Sequence, residues 1–220
     1  MRDGLFISFE GLDGSGKSTQ VAALGAALRA DGHDVITVRP NDTALGEMIS
    51  GIVLQHPLAE SLQPWTEALL FNAGRVQLLA EVILPALQRG TIVIADRYTD
   101  STLAYQGGGR GLDRDALLRL HQDCCADVWP DLTILLDLDQ TIAVRRQHAQ
   151  QLPLDRIEDA GDDFHTRVHE TFDELVSEHP SRIVRVDASR PAVSVSRDVM
   201  RLVQDRLRSA VSAPRPAVVR

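Results

Sequence analysis

Five short apolar runs of strand length, the last four rich in β-branched residues, recur along the chain at 5–9, 35–38, 91–95, 132–136 and 183–186. Every gap between them is long enough for a helix. Strands separated by helices cannot close as tight hairpins, so they pair in parallel with helices on both faces of the sheet. The expectation is an α/β fold of three layers built on a five-stranded parallel sheet. At 220 residues the chain is long enough for one such domain with its own core.

The helical segments show a different period. Val21, Leu24 and Leu28 recur at steps of three and four after the first run. From Pro64 to Leu87 the positions Leu69, Ala73, Val76, Ala80, Ile83 and Leu87 predict a continuous buried stripe. Phe164, Val168, Phe172 and Leu175 mark a later helix, and Val195, Val199, Leu202, Val203 and Leu207 mark the last one. The pattern then stops at two prolines, which predicts a single domain over 1–211 and a frayed tail over 212–220.

Composition sets the class of partner. A formal net charge of -8 argues against nucleic acid or an anionic membrane surface, both of which need a basic field. No signal-peptide core and no run of about 18 consecutive apolar residues is found. Cys124 and Cys125 are adjacent, with neither disulfide nor metal-ligand spacing, so a reducing, cytoplasmic setting is expected. The seven histidines share no spacing with carboxylates or cysteines, which speaks against zinc.

Ligands of parallel α/β sheets sit beyond the carboxyl ends of the strands, and the residues there are chemically rich. After the first run comes Gly11-Leu12-Asp13-Gly14-Ser15-Gly16-Lys17-Ser18, a GxxxxGKS loop between a strand and a helix, followed by Thr19. Backbone N–H groups of such a loop surround phosphate oxygens, Lys17 adds a point charge, and Ser18 can ligate Mg²⁺ at a helix N-terminus. The loop predicts a nucleoside triphosphate but leaves open a kinase, a GTPase switch or an ATP-driven machine. Neither an NKxD-type guanine reader nor a DxxG is found, which disfavours the GTPase.

A second set of groups points to a second nucleotide. Phe71 and Arg75 are one turn apart on the long helix, an aromatic ring beside a guanidinium that suits a flat heterocycle. Asp96 and Arg97 follow the third run, where Arg97 can hold a phosphate bidentately and Asp96 can orient Mg²⁺. Ser101, Tyr105 and Gln106 supply hydrogen-bonding groups just before a glycine-rich turn at 107–109. Asp137 and Asp139 end a strand and read either as a metal acid or as a helix cap.

These segments resemble the thymidylate kinase family of P-loop nucleoside monophosphate kinases. The likeness rests on FEGLDGSGKST at 9–19, LLFNAGRVQ at 69–77, DRYTDSTLAYQGGGRG at 96–111, LDRIE at 154–158 and VDAS at 186–189. It implies a P-loop NTPase fold with a small mobile lid at about 145–158, and a homodimer. It implies ATP and Mg²⁺, with dTMP as acceptor and dTDP as product. Phe71 would stack on thymine, Arg75 would reach a base carbonyl, and Ser101 and Gln106 would read the base edge. Tyr105 would sit against the sugar and favour deoxyribose. Asp13 would approach the 3′-hydroxyl and the attacking phosphate, which Arg97 and Arg39 would hold. The 187–189 loop would lie near adenine.

Two departures from the family pattern matter. The arginine loop Arg39-Pro40-Asn41-Asp42-Thr43 is one residue short and lacks paired glycines. Gly14 points to the branch whose lid supplies arginines, yet His148, Gln150, Gln151 and Pro153 stand between Arg146 and Arg156. Either turnover is slow, or Arg145 or Arg146 supplies charge from the base of the lid. Two alternatives to a dTMP kinase follow: a kinase for dUMP or a modified deoxynucleotide, and a nucleotide-binding regulator.

Overall fold

The computed structural model of the protein describes residues 4–149 and 155–212. Its centre is a five-stranded sheet of β1 (Phe6–Glu10), β2 (Val35–Val38), β3 (Ile92–Asp96), β4 (Leu132–Asp137) and β5 (Ile183–Asp187). The spatial order is β2-β3-β1-β4-β5 and all four pairings are parallel. All five expected runs become strands. The first and third begin one residue later than their apolar runs and take in Glu10 and Asp96, so these two acids are strand ends rather than loop residues.

The sheet reads as apolar runs because helices cover both of its faces. Every residue of β1 and β3 is buried. Ile94, Ile7 and Leu132 lie side by side on the three central strands, all buried. Burying such a side chain contributes about 1.5–3 kcal/mol, and Ile7→Ala at the centre would cost about 2–5 kcal/mol. The one hydroxyl in β1, Ser8, is fully buried and bonds to Thr133 of β4 at 2.9 Å.

The helices are α1 (Lys17–Ala30), α2 (Ala44–Gln55, with its last turn widened), α3 (Pro64–Gln88), α4 (99–109), α5 (Arg114–Cys124), α6 (Gln140–Ala149), α7 (Asp162–Glu178) and α8 (Ala192–Ser212). The turn of α3 at Leu79–Ile83 is wide, with bonds skipping five residues. It lies just before Pro85, which has no N–H to give to the Glu81 carbonyl, and the wider turn absorbs that loss.

Two expectations are corrected. The stripe predicted along α3 is buried only at Ile83 and Leu87; Leu69, at 51% exposure, and Ala73 and Ala80 face outward. The first half of α3 instead buries Glu67, Ala68, Asn72 and Gly74: Gln106, Arg110 and Arg156 converge on Glu67, and α2 lies against Gly74. The segment at 107–109 is also no turn: it completes the last wide turn of α4. A Cβ at Gly108 would lie 2.0 Å from Thr171 Oγ1 and one at Gly109 would lie 2.3 Å from Phe164 Cε2. The glycines are there so that α4 can lie directly on α7, where Arg167 donates to the carbonyls of Gly108 at 3.3 Å and Gly109 at 2.8 Å.

α3 averages a hydropathy of 1.3 over 18 residues, long and apolar enough by length and composition to cross a membrane. Here its second half packs on the sheet through Leu78, Leu79, Ile83, Ala86 and Leu87, in one cluster with Phe6 and Val93. The lid expected at 145–158 is described at its two ends. Gln150, Gln151, Pro153 and the Leu154 of the LDRIE segment lie outside the described residues, as do the His148 side chain and the tail at 213–220.

Candidate active site

The carboxyl ends of β1 and β3 open into a cavity of about 910 Å³. Its wall includes Asp13, Lys17, Ser18, Arg39, Phe71, Arg75, Asp96, Arg97, Ser101, Tyr105 and Gln106, so most of the expected site residues share one space. A smaller cavity of about 330 Å³ lies on the other side of the glycine loop, between Gly14 to Gly16, Arg146, Ala188, Arg190 and Ala192. The 187–189 loop therefore flanks the second cavity.

The glycine loop is shaped by its neighbours. Gly14 has φ +80°, and a Cβ there would approach the Ala143 carbonyl of α6 to 2.5 Å. No side chain fits at 14 while α6 keeps its place, which is the physical reason for glycine at this position. Lys17 is buried and donates to the Gly11 carbonyl at 3.1 Å and the Leu12 carbonyl at 2.8 Å, with Asp13 at 3.6 Å. Burial, followed by the charge of Arg97, lowers the Lys17 pKa. Ser18, in the first turn of α1, donates to Asp96 Oδ2 at 2.6 Å and so joins the loop to the end of β3. Thr19 is exposed on the same turn and borders both cavities.

Arg97 is the centre of the large cavity. Its backbone is left-handed at φ +76°, a conformation that costs an ordinary residue about 1–2 kcal/mol. The backbone N–H is held by the Phe9 carbonyl at 3.0 Å. Its guanidinium donates to the Gly11 carbonyl at 3.1 Å, Ser101 Oγ at 3.0 Å, Asp13 Oδ1 at 2.5 Å and Tyr105 Oη at 3.1 Å. It also lies 4.9 Å from the centre of the Tyr105 ring. Burial works to raise the Asp13 pKa, but the charges of Arg97 and Lys17 outweigh it and hold this carboxyl well below the usual range. Burial, with the charge of Asp13, pushes the Tyr105 phenol up, so it stays protonated and donates to Asp13 Oδ2 at 3.2 Å.

Beneath this layer lies Glu10, a fully buried acid at the end of β1. It accepts from the Tyr98 N–H at 2.7 Å and from Ser101 Oγ at 2.5 Å. Burial, with the neighbouring Asp100, pushes its pKa up to about 7. The Ser101 hydroxyl is thus engaged by Glu10 and Arg97, although the residue borders the cavity.

The opposite wall comes from α3. Phe71 is half-buried, and Arg75 is fixed by donating to Thr102 Oγ1 at 2.5 Å and the Tyr98 carbonyl at 3.3 Å. Arg75 also lies 5.5 Å from the centre of the Tyr98 ring. Gln106 is buried and donates to Glu67. Arg39 is exposed at the rim, where Asp42 accepts from its backbone N–H at 2.7 Å and closes the short loop. A Cβ at Gly46 of α2 would meet the Pro40 carbonyl at 2.3 Å, so this loop is folded back on the first turn of α2.

The base of the lid is placed differently from the arginine expectation. Arg145 is exposed and borders neither cavity. Arg146 borders the smaller cavity and donates to the Ala188 carbonyl at 3.1 Å. In the large cavity the lid instead contributes Gln147, Asp155, Ile157 and Glu158. Burial pushes the carboxyls of Asp155 and Glu158 upward. No spacing rule marks the end of a lid, so the sequence does not single out Gln147, Asp155 and Glu158 as site residues.

Other groups settle into structural work. Asp139 accepts from the Thr141 N–H at 2.9 Å and caps α6, whereas Asp137 pairs with Arg185 at 2.9 Å and His169 at 3.1 Å. Cys124 is exposed and Cys125 is buried, both free. Among the described residues no group of three or more His, Cys, Asp or Glu is placed to hold a metal ion.

A family model described as thymidylate kinase matches residues 9–199. The chain is 43% identical over 207 residues to a thymidylate kinase of Deinococcus radiodurans, covering 94% of this chain and 99% of that protein. It is 46% identical over 198 residues to one of Bifidobacterium longum, covering 88% and 94%. With one of Pseudomonas fluorescens it shares 44% identity over 205 residues, covering 93% and 97%. A glycine loop and an aromatic–arginine wall facing one cavity, together with relatives matched over nearly their whole length, establish that the chain belongs to the thymidylate kinase family.

Proposed function

We propose that the protein transfers the γ-phosphoryl group of ATP to dTMP, giving dTDP and ADP. The observation that carries this reading is the Arg97 hub, which borders one cavity with the glycine loop on one side and the Phe71–Arg75 wall on the other. ATP would run from the smaller cavity, with its adenine beside Arg146 and Ala188, to its outer phosphates at Gly11 to Thr19. The dTMP base would lie on Phe71 with a carbonyl at Arg75, and its sugar would lie against Tyr105. Its phosphate would be held by Arg97, assisted from the rim by Arg39.

Mg²⁺ fits the donors present: the Ser18 hydroxyl and the Asp96 carboxylate are hard oxygen ligands 2.6 Å apart at a helix N-terminus. When bound there, it would neutralise charge on the outer phosphates of ATP. With so few protein ligands, waters and phosphate oxygens would complete its shell.

The chain's own residues then have electrostatic and positioning tasks. A nucleotide 5′-phosphate has a second pKa near 6 and is mostly a dianion at neutral pH, so no general base is required. Lys17 would turn its charge from the loop carbonyls to the phosphates. Arg97, kept protonated, would hold the acceptor phosphate and the charge developing on the transferred group. Asp13 would orient Arg97 and approach the 3′-hydroxyl. Tyr105, neutral and packed against Phe172 at 6.4 Å between centroids, would close the side where a 2′-hydroxyl would project.

We also propose a homodimer. Leu45, Met48, Ile52 and Leu69, exposed by 41%, 65%, 40% and 51%, stand on the adjacent helices α2 and α3. Outward-facing apolar residues concentrated on two neighbouring helices support an interface there. A single catalytic domain over 1–211 and a cytoplasmic setting fit this reading, the latter supported by the free thiols of Cys124 and Cys125.

The test is an ADP-release assay with ATP, Mg²⁺ and dTMP, dUMP, dCMP, dGMP or no acceptor. Preference for dTMP supports the reading. Preference for dUMP would favour the alternative acceptor. Release with none of them, despite ATP binding, would favour a nucleotide-binding regulator.

A further inference from the structure

We infer that Glu67, which touches no substrate in the proposed reading, sets base specificity by fixing which way the Gln106 amide points. The inference rests on the dTMP reading above. Glu67 lies in the first turn of α3 and is 1% exposed. Three donors converge on its carboxylate: Gln106 Nε2 at 2.8 Å, Arg110 Nε at 3.2 Å to both oxygens, and an Nη of Arg156. Arg156 also donates to the Val53 carbonyl at 3.2 Å, so the exit of the lid is tied to the same point.

The chemistry of the hub allows one arrangement. A carboxylate only accepts and a guanidinium only donates. Gln106 therefore must offer Glu67 its NH₂, which leaves the amide carbonyl as the group for the cavity that Gln106 borders. Arg75, on the neighbouring part of the same wall, can only donate. Together the wall presents one donor and one acceptor. A thymine or uracil edge offers the complement, with O4 accepting and N3–H donating. Cytosine offers the reverse at both positions, with a donating N4 amine and an accepting N3. A site whose buried polar groups are left unpaired by the wrong base rejects it strongly. Glu67 is thus a positioning residue: it acts on the base through Gln106.

Glu67→Gln tests this. The two arginines, being donors, would claim the new carbonyl and leave the new NH₂ facing Gln106, whose amide would then turn its own NH₂ to the cavity. The expected result is a fall of about tenfold or more in the ratio of kcat/KM for dTMP over dCMP. It should come from a raised KM for dTMP, with its kcat within about threefold. Glu67→Asp keeps a charge for both arginines but draws back from Gln106, so it should lower the ratio in the same direction if Glu67→Gln does not fold. A purely structural role would lower both substrates in proportion, and a ratio unchanged in the folded variants contradicts the inference. If the wild-type chain prefers dTMP, that failure leaves the dTMP reading intact. A wild-type chain inactive on dTMP overturns the reading and this inference together.

Discussion

Arg97, held in a left-handed backbone conformation at φ +76°, reaches Asp13 Oδ1 at 2.5 Å across the mouth of the glycine loop. The contact joins the phosphate loop after β1 to the end of β3, and through them the two halves of the cavity. A strained residue whose two Nη groups already meet four acceptors is positioned before any ligand arrives, and holding the acceptor phosphate would exchange some of these bonds for phosphate oxygens.

Removing that fork should therefore act on rate more than on folding. Arg97→Ala is expected to lower kcat/KM for dTMP by about 10³-fold. Arg97→Lys should restore little, because one ammonium cannot reach the four acceptors that the planar guanidinium serves at once. Steady-state kinetics with a thermal melt of each variant check this. A lysine variant within about threefold of the wild type would contradict it.

Glu10 makes stability depend on pH. Its folded pKa, about 7, lies above the ordinary 4.5, so folding takes up a proton between those values. The associated stability is fully present below about pH 4.5 and is lost as pH rises to about 7, amounting to at most about 3 kcal/mol. Glu10→Gln should flatten that part of the profile. Urea midpoints at pH 5 and pH 8 for both proteins measure it, and equal slopes in the two would contradict the assignment.

Arg145 and Arg146 are neighbours with different surroundings. Arg146 holds the Ala188 carbonyl at the wall of the smaller cavity, so Arg146→Ala should raise KM for ATP severalfold with a smaller effect on KM for dTMP. Arg145 faces solvent, and Arg145→Ala should leave both constants within about twofold. A tenfold fall in kcat for Arg145→Ala would instead make it the lid's catalytic charge.

The apolar residues on α2 and α3 give a prediction independent of catalysis. Met48→Asp with Leu69→Asp should convert a dimer to a monomer in light scattering behind size exclusion, because each places a charge where the interface would bury an apolar side chain. A wild-type chain that is already monomeric at tens of micromolar would contradict the dimer.

The fold was legible because its strands are buried on both faces, which turns each into an unbroken apolar run. β2 ends where its run ends, and β1 and β3 differ by one residue. The glycine loop, Phe71, Arg75 and Arg97 could be found because each carries distinctive chemistry at a strand end or on one helix face. Glu67 could not: its partners lie 39, 43 and 89 residues away, and a lone acid in a first turn reads as a helix-dipole partner. At Leu69, Ala73 and Ala80 periodicity marks an apolar face without saying whether the same chain or another copy covers it. Gly108 and Gly109 read as a turn because glycine also serves close helix contact, and only the position of Thr171 and Phe164 distinguishes the two.

A crystal structure of the protein with dTMP bound tests the central claim most directly. The account predicts the thymine ring on Phe71, a base carbonyl at Arg75, and the 5′-phosphate at Arg97. A base seated elsewhere, with Phe71 and Arg75 uncontacted, would contradict it.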